Sequence, residues 1–379
     1  MIKRRAFNPW ERSDHPDYDN SFWNEKEYYT GDWANKRPMF TERPDNACCD
    51  FKTKQAGLKA SHSVVALVSY TGDELLSQGC GTIHEADEQN NITVITSANL
   101  IRRPSKNNIA ENSLADDLKV VVHAPDYASY EGNICIYDYH YNLLVITFKS
   151  DTPLQAARLG TIDDFSKKVD DSVIAPGRYF TKPFDFMVAP GYFRHDRCDY
   201  DCKELSGTTC DITRCGDGGP LINLCGEIIG INFYHLDLLT PFLPINVVKK
   251  WWKHYKLHRE LRHPYLGFDA TNFYVADVNL IERVIRNFPN ISQGVIVKTV
   301  MPESSAHYAG LEQDDIIVRC DGKTVDSFLQ LFEIAWEKVG KTVKLEVARA
   351  QHHTLLSFGV TIVEATPDKM NRWVRCDYW

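Results

Sequence analysis

The sequence predicts a mainly β protein: a barrel or sandwich of short strands, followed by a smaller α+β module and preceded by an aromatic-rich arm. Three observations carry this. From Ser61 onward, apolar runs of strand length recur between turns with no helical pattern among them. After Pro264, strand-like and helix-like periods alternate within about a hundred residues. Residues 1–58 contain Ile2 and Leu58 as their only Val, Ile or Leu side chains. The 379 residues suffice for two to three domains at about 150 each.

The arm comes first. Its aromatics are Phe7, Trp10, Tyr18, Phe22, Trp23, Tyr28, Tyr29, Trp33, Phe40 and Phe51. Without aliphatic neighbours they build no independent core, so residues 1–58 are expected to be poorly ordered or docked on another surface. The strands follow: SVVALVSY (63–70), NITVITSA (91–98), DLKVVVHA (117–124), YNLLVITF (141–148), SVIAPG (172–177) and GEIIGINFY (226–234). The run 243–262 places Val247, Val248, Trp251, Trp252, Tyr255 and Leu257 on one helical face, closing a domain expected over 59–258. Its basic residues read as a solvated face beside a buried Trp stripe.

The second module is expected over 262–366. GVIVKTV (294–300) and KTVKLEVAR (341–349) read as strands and FLQLFEIAWEKVG (328–340) as a helix. Gly310 caps a short helix, and Cys320, Asp321, Gly322 and Lys323 form a hairpin turn. Residues 367–379 form a tail without strand or helix pattern.

Charge and composition narrow the function. Lys and Arg number 43 against 51 Asp and Glu, a net charge of −8, which disfavours a phosphate-backbone binder. No run approaches the ~18 apolar residues of a membrane span. The start, MIKRRAFNPWERSDHPD, has a basic cluster with no apolar stretch after it, so no secretory signal is expected. With eleven cysteines, an odd number, the expected compartment is the cytoplasm or nucleus with free thiols. His195, Cys198, Cys202, Cys210 and Cys215 invite a zinc reading, but their spacing lacks paired C-x2-C knuckles. No glycine spacing makes a phosphate loop. Neither metal nor cofactor is expected.

Several motifs in order resemble the HtrA/Deg family, in which a trypsin-like double β-barrel precedes a PDZ domain. CGTI (80–83) resembles the family's SGTGFI stretch, and TSA (96–98) the strand leading to its catalytic His. NLLVI (142–146) is similar to the D-L-A-L-L strand carrying the catalytic Asp. GDGGPLIN (216–223) with GEIIGIN (226–232) resembles the nucleophile loop and the strand after it. LPIN (243–246) is similar to the entry to the last helix. Tyr265, Leu266, Gly267 and Phe268 match the carboxylate-binding loop of the PDZ domain.

The resemblance implies a catalytic triad, and all three of its positions are substituted. Asn99 stands at the general base His, Asn142 at the orienting Asp and Asp217 at the nucleophilic Ser. An Asn amide does not take a proton from a hydroxyl, and Asn142 lacks the charge that would stabilise an imidazolium. A carboxylate at 217 would face the developing oxyanion; at ~4 Å and an effective dielectric of ~20 this costs about 4 kcal/mol. Cys215 replaces the Gly that, with Gly216, shapes the oxyanion loop in the family. Cys215 itself lies two residues from the attack position, and His84, His140 and His235 stand elsewhere on the expected barrel.

These residues lead to the expectation of a protease fold without protease activity, retained as a scaffold. Its PDZ domain is expected to bind peptides or unfolded segments through Tyr265, Leu266, Gly267 and Phe268, with Gly267→Glu abolishing binding and sparing the fold. The alternative is an active serine-type endopeptidase of the same family. The resemblance implies a homotrimer; nucleic acid and membrane are not expected partners.

Overall fold

The computed structural model describes residues 49–103, 112–162, 171–179, 182–194, 202–235, 239–366, 369, 371 and 373. Most of the arm, along with His195 and Cys198, lies outside these. Residues 51–58, the end of the expected arm, are helical. Helix α1 spans Phe51–Ala60, its N-terminus capped by the Asp50 carboxylate, which accepts from the N–H of Lys52 and Thr53. Its buried face is Thr53, Ala56, Gly57 and Ala60, small residues that give no aliphatic periodicity to read.

Two closed six-stranded barrels follow. The first contains β1 (Val64–Thr71), β2 (Glu74–Ala86), β3 (Asn91–Ser97), β4 (Leu118–His123), β5 (Ser129–Asp138) and β6 (Leu143–Lys149), ordered β1-β2-β3-β6-β5-β4. The second contains β7 (Ser172–Arg178), β8 (Phe186–Arg194), β9 (Ser206–Thr208), β10 (Pro220–Ile222), β11 (Ile228–Asn232) and β12 (Thr240–Pro244), ordered β10-β11-β12-β9-β8-β7. Closure removes free strand edges and turns alternate side chains inward. Val65, Leu67, Ile83, Val94, Val122 and Ile146 fill the first interior, and Val173, Ala189, Phe193, Leu221, Ile229 and Phe242 the second.

Helix α2 (Ile245–His258) crosses the joint between the barrels, with Trp251 and Trp252 buried. Its lysines reach Gly160, Glu337 and Glu85. The Trp251 indole donates to Asp138, whose carboxylate also takes His263 at 2.8 Å and the His140 N–H at 2.8 Å.

The last unit is a sheet ordered β14-β15-β16-β18-β19: β14 (Phe268–Asn272), β15 (Val295–Val300), β16 (Ile316–Cys320), β18 (Thr342–Ala348) and β19 (Leu356–Thr361). β17 (Lys323–Thr324) pairs with β16, and β13 (Pro264–Tyr265) with β20 (Val363–Glu364), so the unit's entrance and exit lie side by side. Helices α3 (Val278–Asn287), α4 (Ser305–Ala309) and α5 (Phe328–Trp336) complete it. No helix among the described residues is long and apolar enough to cross a membrane.

Candidate functional site: a substituted triad and a loop of free N–H groups

The fold brings Asn99, Asn142 and Asp217 together at the front of the two barrels. Ser97 ends β3 and caps the short turn Ala98–Ile101; its hydroxyl accepts from the Asn99 N–H at 3.2 Å and from Asn142 Nδ2 at 3.1 Å. Asn142 opens β6 with φ +54, in the left-handed region that Asn tolerates, and its carbonyl accepts the Ala98 N–H at 2.9 Å. Across the barrels, Asn99 Nδ2 donates to Asp217 Oδ2 at 3.3 Å, while Asp217 Oδ1 accepts the Tyr234 N–H at 3.0 Å. Among the described residues no histidine hydrogen-bonds to Asn99 or Asp217. His84 and His140 are held neutral by burial, at about 4 and about 3.

Asp217 sits half-buried, and desolvation pushes its carboxyl above the usual range; the Tyr234 N–H, Asn99 and Ser97 offset part of that push. The preceding residues Arg214–Gly216 form a tight turn. The Gly216 N–H donates to Thr213 O at 2.7 Å and the Asp217 N–H to Arg214 O at 3.1 Å. An oxyanion needs donors aimed at its position, among them the N–H of the residue at the nucleophile position, and the Asp217 N–H is spent within the loop. The Cys215 thiol is fully buried in the second core. Gly218 holds the loop against the first barrel, with φ +74. A Cβ there would lie 2.2 Å from Thr96 Oγ1 and 2.4 Å from Ser97 N.

Sequence reasoning missed two residues here. Arg102 is fully buried, stacks on Tyr139 at 4.4 Å and donates to Asn142 Oδ1 at 3.2 Å. Ser97 joins all three substituted positions. Its place just before a turn signals a cap, but nothing in its spacing tells that the opposite barrel lands there.

The second candidate site is the loop from β13 to β14. Among the described residues, the N–H groups of Leu266 and Gly267 donate to nothing. Leu266 and Phe268 are buried in the core of their unit, while Tyr265 is half-exposed. Gly267 has φ +76, and its carbonyl accepts the Met301 N–H at 3.0 Å and the Ser304 hydroxyl at 2.8 Å. A Cβ at 267 would lie 2.7 Å from Ser304 Cβ. This corrects the expectation that Gly267→Glu spares the fold: any side chain there is strained.

Comparison with known proteins agrees with this architecture. The trypsin-like peptidase domain family matches residues 79–231 and the PDZ domain family residues 264–361. The chain is 32% identical over 307 residues to Do-like 14 of Arabidopsis thaliana, covering 77% of this chain and 66% of that protein. It is 25% identical to the serine protease HTRA1 of Xenopus tropicalis over 254 residues, 63% of this chain and 54% of the relative. It is 25% identical to the serine protease Do-like HtrA of Bacillus subtilis over 224 residues, 55% and 49% of the two chains. The alignments therefore span between about half and two-thirds of these relatives. Among solved structures, the HtrA-type protease AlgW with a tripeptide aligns at TM-score 0.55 and 19% identity, covering 83% of this chain and 98% of that one, a likeness of fold. With a trypsin-like double barrel and a PDZ domain in the family's order, and relatives that carry its name, this chain belongs to the HtrA/Deg family.

Proposed function

We propose that this HtrA/Deg chain is a pseudoprotease, a proteolytically inactive scaffold whose PDZ domain binds peptide termini or unfolded segments. One observation carries the reading: Asn99 and Asp217 face each other at 3.3 Å where a base and a nucleophile would stand, supplying neither imidazole nor hydroxyl. The spent N–H group of Asp217 supports it. For the PDZ domain, the undonated N–H groups of Leu266 and Gly267 support capture of a carboxylate, with the peptide adding as a strand along β14. A trimer built through barrels and arms, and a cytoplasmic or nuclear location, belong to the same proposal.

The competing reading, an active endopeptidase, draws on relatives named as serine proteases. Hydrolysis of unfolded casein with a serine-directed probe separates the two. The unmodified protein is expected to neither cleave nor label. Single reversions are expected to stay inactive, because nucleophile, base and orienter act as a unit. The combined Asn99→His, Asn142→Asp, Asp217→Ser protein is expected to be weak at best. Its new carboxylate at 142 would already be paired with Arg102, and Cys215→Gly is needed to reshape the loop. Turnover by the unmodified protein that disappears on replacing Asp217 or Cys215 refutes the pseudoprotease.

A further inference from the structure

The last turn of α2 gathers two imidazoles and a carboxylate, away from the triad positions and from the PDZ loop. His254 and His258 are one helical turn apart and so share a face. Their ring centres lie 4.5 Å apart, with the planes tilted by 35°. Arg259 ends the helix in the left-handed conformation, its N–H donating to Tyr255 O at 2.8 Å. That reversal brings Glu260 back beside His254, with 3.8 Å between Glu260 Oε1 and His254 Nε2.

His254 is the member that packing leaves unexplained. Its side chain is 11% exposed, and its ring stands edge-on to Trp336 with centres 6.5 Å apart. The Nε2 atom is buried and has no hydrogen-bond partner among the described residues. A buried polar atom without a partner is costly and uncommon. The Glu260 oxygen is too far away to serve as a hydrogen-bond partner. Its distance is instead close to the span of two ligand atoms on one tetrahedral ion, about 3.4 Å at metal–ligand distances of about 2.1 Å. Burial holds His254 below the ordinary imidazole range; Arg262 and His258 push the same way, against Glu260 and Glu364. The ring is therefore neutral at pH 7, the form that ligates.

We propose that His254, His258 and Glu260 bind a divalent ion of the zinc class, with solvent in the fourth position. Two histidines at this spacing on a helix are how helical zinc motifs present their imidazoles. Tyr255 stands where such a motif in a metalloprotease carries its Glu base, so the spacing supplies binding and not hydrolysis. Two nitrogens and one oxygen suit zinc better than calcium or magnesium, which take oxygen ligands. Among the described residues no three His, Cys, Asp or Glu side chains already surround one point. The ion completes the set by drawing in His258 and Glu260, both exposed. Arg262 lies 3.7 Å from the same Glu260 oxygen, a surface pair weak enough to be displaced. The bound ion staples the last turn of α2 to the residue beyond its cap, where the linker to the PDZ domain begins. This departs from the expectation of no metal, which weighed only the Cys and His residues between 195 and 215, and it depends on neither the pseudoprotease nor the peptide reading.

The test is calorimetric titration of Zn2+ into the metal-free full chain, repeated on His254→Gln, His258→Gln and Glu260→Gln, with thermal melts to establish folding. His258 and Glu260 are exposed, so their variants decide the matter even where the His254 variant does not fold. Loss of an outer-shell partner already costs roughly 10–100-fold in metal affinity, so loss of a ligand is expected to weaken Zn2+ by about tenfold or more. Zn2+ is expected to raise the melting temperature of the parent and to do so less in each variant at the same concentration. Co2+ in place of Zn2+ is expected to show nitrogen and oxygen ligation that the substitutions abolish. Parental zinc affinity in any folded variant overturns the site, as does a Co2+ spectrum of thiolate ligation that all three variants retain.

Discussion

The loop at residues 215–220 and the loop at residues 265–268 are held alike and differ in where their chemistry resides. Each turns on a glycine in the left-handed region, +74° at Gly218 and +76° at Gly267, packed against a neighbouring segment. In a serine protease the first loop supplies a nucleophilic side chain beside its oxyanion donors, and that side chain can be exchanged while the loop stays anchored. Here Gly218 donates to Asn232 O at 2.8 Å and the Asp217 carbonyl accepts from the Cys80 N–H at 2.9 Å, with a carboxylate where the family has a hydroxyl. The second loop offers main-chain N–H groups, which no substitution deletes short of proline. Catalysis is thus fragile to point changes that binding by backbone survives.

The largest expected effect breaks the likeness between the two glycines. At Gly218 an added Cβ meets backbone, Ser97 N at 2.4 Å and Cys80 O at 2.8 Å; at Gly267 it meets the Ser304 side chain at 2.7 Å. Backbone in a barrel ladder cannot shift far, whereas Ser304 precedes a five-residue helix with more freedom. Gly218→Ala is expected to cost about 4 kcal/mol and Gly267→Ala about 2 kcal/mol. Urea midpoints at constant m-value measure both. Equal costs would show that the first loop is not pinned by the opposite barrel.

The same contrast explains what could be read from the sequence. The strands β1, β3, β4, β6, β7 and β11 announce themselves as short apolar-rich runs between turns, and their bounds fall within about two residues of expectation. β5, SYEGNICIYD, hides because its burial alternates along a half-exposed strand carrying Glu131, Gly132 and Asn133. β12, TPFLP, hides behind two prolines, although its five residues are all buried. Helix α3 was missed beside the more apolar α5, and α1 because it packs through small residues. At the site, motif order located Asn99, Asn142 and Asp217. Arg102 and Ser97 matter through contacts between segments distant in sequence, and no local spacing reports those.

A second, smaller effect sharpens the comparison from the ligand side. If the N–H groups of Leu266 and Gly267 hold a carboxylate, amidating the peptide's C-terminus removes hydrogen bonds to a charged group, each worth about 1.5–3 kcal/mol. Anisotropy titration into the full chain should show the amide binding at least tenfold more weakly than the free acid. Equal binding of the two peptides would move recognition from the loop to side chains along the groove.

The smallest effect is electrostatic and lies in the loop whose chemistry was exchanged. Burial raises the Asp217 carboxyl above its unfolded value. Between those two values the native state holds more protons than the unfolded chain, so this group's contribution to stability falls as pH rises, and its cost is present in full once the pH exceeds the native value. Asp217→Asn removes that cost. The new amide oxygen can keep the Tyr234 N–H, and the new NH2 can donate to Asn99 Oδ1, a buried atom with no hydrogen-bond partner among the described residues, once the Asn99 amide turns over. The variant is therefore expected to melt slightly higher than the parent at pH 7, with the gap closing below about pH 3.9, where Asp is protonated in both states. His140 and His84, held at about 3 and about 4, act in the opposite direction. Each binds a proton more readily unfolded, so both proteins lose stability as pH falls below about 6.5. That loss is common to parent and variant and cancels in their difference. A gap that is negative at pH 7, or that widens in acid, would show that the Asp217 carboxylate is a net stabiliser of the loop rather than a tolerated replacement.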